Sequence, residues 1–240
     1  MFEGARVVVV VPAFNEAERI GRVLETLPAE VDEVIVVDDA SRDATAAVAR
    51  ARGDARAQVV VHAVNKGVGA AIATGYQEAL RRGGGARDAF VVMAGDGQMD
   101  PRDLFALVAP VARGEAGYVK GNRFAHPDVG RAMPLGRRLG GLVFSRLTSA
   151  AIGQPVNDSQ CGYTALARGA CAKLDLDGLW PGYGYPNDLL GQLTARGIAI
   201  GEVCVRPVYA GERSGLRLWH LGRIAQLVAR AWVRRVAARP

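Results

Sequence analysis

The sequence predicts an α/β domain: a mostly parallel sheet with helices on both faces. Three observations carry that expectation. Short apolar runs rich in Val and Ile alternate with longer stretches of Ala, Leu and Arg at helical spacing. The apolar runs are nearly continuous rather than alternating with polar residues, as strands covered on both faces require. The joining segments are short and carry Gly, Asp, Asn and Pro. Such alternation implies right-handed crossovers between parallel strands.

Taken in order, residues 6–11 read as a strand ended by Pro12, and 15–27 as a helix capped by Asn15 with Glu18 behind it. Residues 33–37 read as the next strand and 43–51 as a helix, entered through Ser41 and Asp43. A strand over 58–62 leads through Gly67 and Gly69 into a helix over 68–82. A strand over 89–93 is followed by Asp100-Pro101, a cap and first-turn pair, and a helix over 103–112. Residues 117–120 form a further short strand. Past about residue 125 the pattern changes: a helix over 133–152, a strand over 163–167, a helix over 186–195 and a strand over 198–207. The chain closes with a basic amphipathic helix over 219–236. The expected organisation is one domain over 1–215, with a donor-binding half to about 124 and an acceptor half from about 125, and a separate helical segment over 216–240.

A chain of 240 residues, half of them hydrophobic, can bury a sizeable single core. Cys161, Cys171 and Cys204 are odd in number and widely spaced, which reads as a reduced, cytosolic chain rather than a disulfide frame or zinc site. The opening residues lack the flanks of a secretory signal, and no stretch offers about 18 uncharged apolar residues to span a bilayer. The net charge of +6 lies wholly beyond residue 215, where six arginines stand without an acid. A uniformly basic nucleic-acid binder would not look like this. In that tail Leu221, Ile224, Val228 and Trp232 share one stripe and Arg223, Arg230 and Arg234 another. This is the pattern of a helix lying on an anionic membrane, or of a helix packed on the domain with its arginines in water.

The segments that follow the strands carry the chemistry. In an open parallel sheet, ligands bind beyond the carboxyl ends of the strands. Acids at such an edge repel a phosphate ligand unless a divalent cation lies between them. Asp38 and Asp39 end a buried strand, where paired carboxylates are costly unless they bind something, here a base or ribose. Pro12, Phe14 and Glu16 are placed against a nucleobase, though Asn15 and Glu16 also suit a helix start. Asp96 and Gln98, between glycines, offer a carboxylate and an amide oxygen to a hard cation such as Mg²⁺ or Mn²⁺; a plain Asp-Gly turn is the alternative. Lys66 and Gly67 open a helix and could approach phosphates, but the full phosphate-loop pattern is missing. Arg123 offers a fork to a diphosphate. Arg137, Arg138 and Arg146 stand on a helix with few acids, which favours an anionic partner. Arg206 and Arg213 are expected to close over the same site. Asp188 begins a helix and reads equally as a cap, a base or a carboxylate that orients an acceptor. The three histidines show no metal-ligand spacing, and no arrangement points to a covalent nucleophile.

Set in order, VPAFNE, VVDDASRDAT, NKGVGAAIATG, AGDGQMDP, GNRF, DSQCGY and PVYAGERSG resemble glycosyltransferase family 2, within it the group that includes the dolichol-phosphate mannosyltransferases and polyprenyl-phosphate glycosyltransferases. The resemblance covers roughly residues 6–216. It implies a GT-A fold, Rossmann-like, and an inverting transfer from a UDP- or GDP-linked sugar to a polyprenyl phosphate. Carried over, Pro12, Phe14, Glu16 and Asp39 surround base and ribose, and Asp96 and Gln98 hold the metal. Arg123 and Arg213 contact phosphates. Arg137, Arg138, Ser145 and Gln160 fall in the acceptor region, with Asp188 as the acidic residue beside it. The implied setting is the cytoplasmic face of a membrane, with peripheral contact through residues 216–240. One departure stands out: Ala94 occupies the first position of the family's usual Asp-x-Asp, so one carboxylate is missing. Two rivals remain, a soluble transferase acting on a saccharide or small-molecule hydroxyl, and a non-catalytic nucleotide-sugar-binding protein.

Overall fold

The structure is a computed structural model that describes residues 1–53, 55–208 and 218–237. Its strands are β1 (Val7–Ala13), β2 (Glu33–Asp38), β3 (Ala57–Val61), β4 (Ala89–Val92), β5 (Tyr118–Asn122), β6 (Thr164–Ala167) and β7 (Ile200–Cys204). Its helices are α1 (Ile20–Glu25), α2 (Thr45–Arg52), α3 (Val68–Arg81), α4 (Leu104–Ala112), α5 (Val129–Ala132), α6 (Leu135–Ile152), α7 (Arg168–Cys171), α8 (Tyr185–Ala195) and α9 (Leu218–Ala237).

One seven-stranded sheet runs in the order β3-β2-β1-β4-β6-β5-β7. β1 pairs in parallel with β2 and β4, β2 with β3, and β5 with β7. β6 alone is antiparallel, between β4 and β5. The crossover from β4 through α4 to β5 leaves a gap one strand wide. The chain fills that gap on its way back from α6. The expectation of a mostly parallel sheet holds. All seven residues of β1 and all four of β4 are buried, which explains why those strands read as unbroken apolar runs.

Helix boundaries follow the sequence except at α1. It begins at Ile20, not Asn15. Asn15 sits in the left-handed region at φ 57°. The amides expected to start a helix are held across the gap to the β2–α2 loop instead. Asn15 N–H donates to Ser41 Oγ, Glu16 N–H to Thr45 Oγ1 and Ala17 N–H to Asp43 Oδ2. The loops after β1 and β2 are thereby laced together at the sheet's ligand edge. The Asp100-Pro101 cap is present: Asp100 Oδ1 accepts from Arg102 N–H at 2.9 Å, ahead of a 3₁₀ turn that runs into α4.

Helix α9 packs on α8 and α6. Leu227 and Ala231 are buried there, and a side chain on Gly191 of α8 would lie 2.8 Å from the Ala231 Cβ. Of the arginine stripe, two members meet a carboxylate of α8. Arg234 Nη1 lies 2.6 Å and Arg230 Nε 3.5 Å from the Asp188 carboxylate, which is fully buried. A lone buried carboxylate is expensive; Arg234, largely covered, pairs with it closely, while Arg230 reaches it from an exposed position. Among the described residues no helix is long and apolar enough to cross a membrane.

Candidate functional site

A cavity of about 690 Å³ opens beyond the carboxyl ends of β1 and β4. Pro12 contributes from β1, Asp96 and Gln98 from the loop after β4, and Arg123 from the turn after β5. Helix α6 lends Arg137 and Phe144, the 160–163 turn lends Gln160, and the stretch after β7 lends Arg206. Most of the remaining wall is apolar or aromatic. The sheet edge thus supplies the polar end, and α6 and the segments after β6 close the rest, as expected for a ligand site of an open α/β sheet.

Asp96 Oδ1 accepts the Gln98 N–H at 2.9 Å, so the loop turns back and sets both side chains on the same wall. Ala94, where the resemblance leads one to expect a second carboxylate, also lines the cavity, its N–H donating to Met99 Sδ at 3.3 Å. Among the described residues no group of three or more His, Cys, Asp or Glu could hold a metal. One carboxylate and one amide oxygen cannot close a cation's shell. They do suit Mg²⁺, which habitually takes one or two protein carboxylates and completes its octahedron with substrate phosphates and water. The donor set therefore fits a cation shared with a diphosphate, not one held by protein alone.

Arg123 reaches the cavity with its fork clamped behind. Its Nε and Nη2 donate to the two oxygens of Asp158 at 2.8 and 2.9 Å, and its backbone N–H to Asp158 Oδ2 at 3.1 Å. Asp158 is fully buried. Below them Lys120 is fully buried too, with its ammonium donating to the Cys161 carbonyl. Burial pushes the Lys120 amine below its ordinary value, with the nearby Asp158 carboxylate opposing. Arg206 donates from Nη1 to Asp100 Oδ2 at 3.0 Å, and its N–H to Asp103 Oδ2 at 2.7 Å, which ties the end of β7 over the cavity. The Asp100 carboxyl is held below its usual value, first by the Arg102 side chain that grips it.

Of the residues expected at the site, Pro12, Asp96, Gln98, Arg123, Arg137 and Gln160 meet on this wall. The other described ones stand outside it. Phe14 is exposed, and Glu16 pairs with Arg19 at 3.0 Å. Asp38 is buried against the Ser41 hydroxyl and amide. Asp39 is buried with three protein donors or partners: the Lys66 N–H at 2.8 Å, the Gly67 N–H at 2.7 Å and His62 Nδ1 at 2.7 Å. The Asp39 carboxylate holds the loop ahead of α3 in place, and that of Asp38 the turn after β2. Lys66 and Gly67 are used through their backbone, the Lys66 side chain being exposed. Arg138 is half-buried beside Gly130. Ser145 is turned inward, where its hydroxyl accepts the Ser159 N–H at 2.9 Å. Asp188, expected beside the acceptor, is not on the cavity wall; its carboxylate meets Arg234 and Arg230 of α9 instead. Arg213 lies outside the described residues. Sequence reasoning missed the pairing of Asp39 with His62 and of Arg123 with Asp158, because partners 23 and 35 residues apart leave no local pattern.

Comparison with known proteins bears on this geometry. Residues 8–175 match the family model described as glycosyl transferase family 2. The polyprenol monophosphomannose synthase of Mycolicibacterium smegmatis is 31% identical over 206 residues, spanning 82% of this chain and 76% of that protein. The UDP-N-acetylglucosamine–dolichyl-phosphate N-acetylglucosaminyltransferase of Methanococcus voltae is 29% identical over 215 residues, spanning 83% and 84%. Among solved structures, the Mycobacterium tuberculosis glucosyl-3-phosphoglycerate synthase superposes with a TM-score of 0.69 at 26% identity, covering 97% of this chain and 81% of that one. The same protein is solved with Mn²⁺, uridine diphosphate and glucosyl-3-phosphoglycerate, with a TM-score of 0.66.

Proposed function

The chain belongs to glycosyltransferase family 2, and from that premise we propose that it moves a sugar from a nucleotide-diphosphate donor to a phosphate-bearing acceptor, most simply a polyprenyl phosphate. One observation carries the choice of acceptor. Among the described residues, the cavity wall holds a single carboxylate, Asp96, and three guanidinium groups, those of Arg123, Arg137 and Arg206. A sugar or glycerate hydroxyl needs a base to take its proton as it attacks. A phosphate monoester oxygen is already anionic near neutral pH and needs none. Asp188, the other candidate base, is buried and ion-paired away from the cavity.

In this reading the acceptor oxygen attacks the anomeric carbon in line, the bond to the diphosphate breaks, and the configuration inverts. Pro12 and the loop after β4 receive the donor, and Asp96 with Gln98 would hold a divalent cation together with the diphosphate. When bound, that cation supplies charge neutralisation to the leaving diphosphate. The guanidinium groups set the acceptor phosphate and offset its charge. The apolar wall formed by Val68, Ile72, Phe124 and Phe144 suits an isoprenoid tail and excludes water from the reacting atoms. The relatives named for polyprenol and dolichyl phosphate support this choice.

A second reading has one observation in its favour. The solved neighbour has also been solved with phosphoglyceric acid, which supports a small phosphorylated acceptor as the alternative for this cavity. Both readings are tested by offering labelled UDP- and GDP-sugars with a short-chain prenyl phosphate or with phosphoglycerate. The donor half is tested by thermal shift of the chain with each nucleotide sugar, with and without Mn²⁺. A raised midpoint is expected only where donor and Mn²⁺ are both present. Asp96→Asn is expected to lower transfer by about 10²–10³-fold with the ligand-free midpoint unchanged. Transfer by Asp96→Asn at the unaltered rate overturns the proposed donor site.

A further inference from the structure

We propose that the outer face of α6 is the surface by which this chain docks on an anionic lipid bilayer. Leu135, Leu139, Val143 and Leu147 are 67%, 55%, 54% and 50% exposed. Spaced by four, they fall within a band about 120° wide on a helix of 3.6 residues per turn. Single exposed apolar residues are ordinary, whereas four aligned on one helix form a continuous patch that water disfavours.

Charge selects the occupant. Helix α6 carries Arg137, Arg138 and Arg146 and no acid along its 18 residues. Arg146 is exposed and falls inside the apolar band, and Arg138, half-buried, lies about 60° beyond its edge. An apolar stripe edged with arginine matches acyl chains beneath acidic head groups. A second copy of the same helix across a two-fold axis would set arginine against arginine with no acid on α6 to relieve it, so like charges oppose self-association. Helix α9, which packs on α6, also exposes Trp232 and Val233, residue types that settle at a membrane interface or in its apolar edge.

The position of the band ties docking to the site. The adjoining face of the same helix, with Gly136, Arg137, Gly140 and Phe144, lines the cavity. A helix laid on the bilayer along its leucine band therefore sets the cavity wall beside the head groups, where a lipid phosphate resides. Docking rests on the lipid-acceptor reading for its purpose but not for its measurement.

The test uses the full chain and vesicles of phosphatidylcholine, with and without phosphatidylglycerol, read by co-sedimentation. The chain is expected to partition onto vesicles with phosphatidylglycerol, and less so as salt rises. Leu139→Gln with Val143→Gln, both on the exposed face, is expected to lower the partition coefficient by about tenfold or more while leaving the melting midpoint and the donor-induced shift unchanged. Trp232→Gln with Val233→Gln serves as a comparison at the other candidate face and is expected to lose less. Equal binding by the α6 variant and the parent overturns the proposal. So does absence of binding by the parent, or a parent dimer that the α6 variant splits while its lipid binding stays the same. Transfer to a water-soluble prenyl phosphate without vesicle binding sinks the docking surface alone. Vesicle binding through α6 without any transfer sinks the acceptor reading alone.

Discussion

Replacing Asp188 by Asn separates an anchor from a catalyst. The carboxylate is fully buried and meets the Trp180 N–H at 3.0 Å, Arg234 Nη1 at 2.6 Å and Arg230 Nε at 3.5 Å. Asn keeps the volume and one acceptor oxygen but removes the charge. The Arg234 contact is a charge-assisted hydrogen bond with the guanidinium largely covered, and its loss is expected to cost about 1.5–3 kcal/mol. The Arg230 contact is longer, with the arginine 44% exposed, and adds at most about 1 kcal/mol. The sum, about 2–4 kcal/mol, lowers the midpoint of a domain this size by about 5–15 °C. Calorimetry measures this directly. A double-mutant cycle with Arg234→Gln is expected to return a coupling of about 1–3 kcal/mol. Sugar transfer per folded molecule, assayed well below the midpoint, is expected to stay within about twofold. Loss of a general base would instead lower turnover by about 10²–10⁴ and leave the midpoint alone. That second pattern refutes both the anchoring role and the argument that no base is needed.

Two further outcomes follow from the packing. Gly67 sits at φ 96°, and a Cβ there would lie 2.5 Å from the Pro181 carbonyl oxygen, so Gly67→Ala is expected to destabilise by about 1–3 kcal/mol. Urea denaturation reads that loss, and an unchanged midpoint contradicts the contact. Stability is also expected to fall in alkali. Burial pushes the Cys171 thiol from 9.0 up to about 12, with Arg168 opposing, so between those values the folded state retains a proton that the unfolded chain has lost. The contribution is present below pH 9 and disappears as pH rises toward 12. Buried Tyr118, Tyr163 and Tyr185, all raised by burial, extend the fall above pH 10. Midpoints measured against pH are expected to decline more gently for Cys171→Ala through the thiol's window.

Local pattern made most of the sheet legible. Unbroken valine runs gave β1 and β2, and short polar joints gave the crossovers. The antiparallel β6 was not legible in direction, because Thr164–Ala167 is equally apolar whichever way it runs and its neighbours are fixed by the gap between β4 and β5. Helix α1 was misjudged because Asn15 and Glu16 look like a cap in sequence, and only the folded loops show their amides committed to Ser41 and Thr45. At the site, Asp96, Gln98 and Arg123 were readable since each follows a strand. The partners of Asp39, Asp158 and Asp188 were not, because each lies far along the chain: His62, Arg123 and Arg234.

Under the proposed donor-and-cation reading, alanine at position 94 has a thermodynamic consequence. With alanine there, Asp96 is the single carboxylate on the cavity wall among the described residues. One carboxylate and an amide bind a free divalent cation weakly in water, since hydration competes for every remaining position. A diphosphate brings several oxygens and negative charge, so each partner improves the site for the other. By linkage the enhancement is reciprocal: the cation strengthens nucleotide binding by the same factor as the nucleotide strengthens cation binding. A second carboxylate at position 94 would loosen that coupling by letting the cation bind first. In the proposed reading, the joint dependence expected of donor and Mn²⁺ in the thermal shift is thus a consequence of the missing acid.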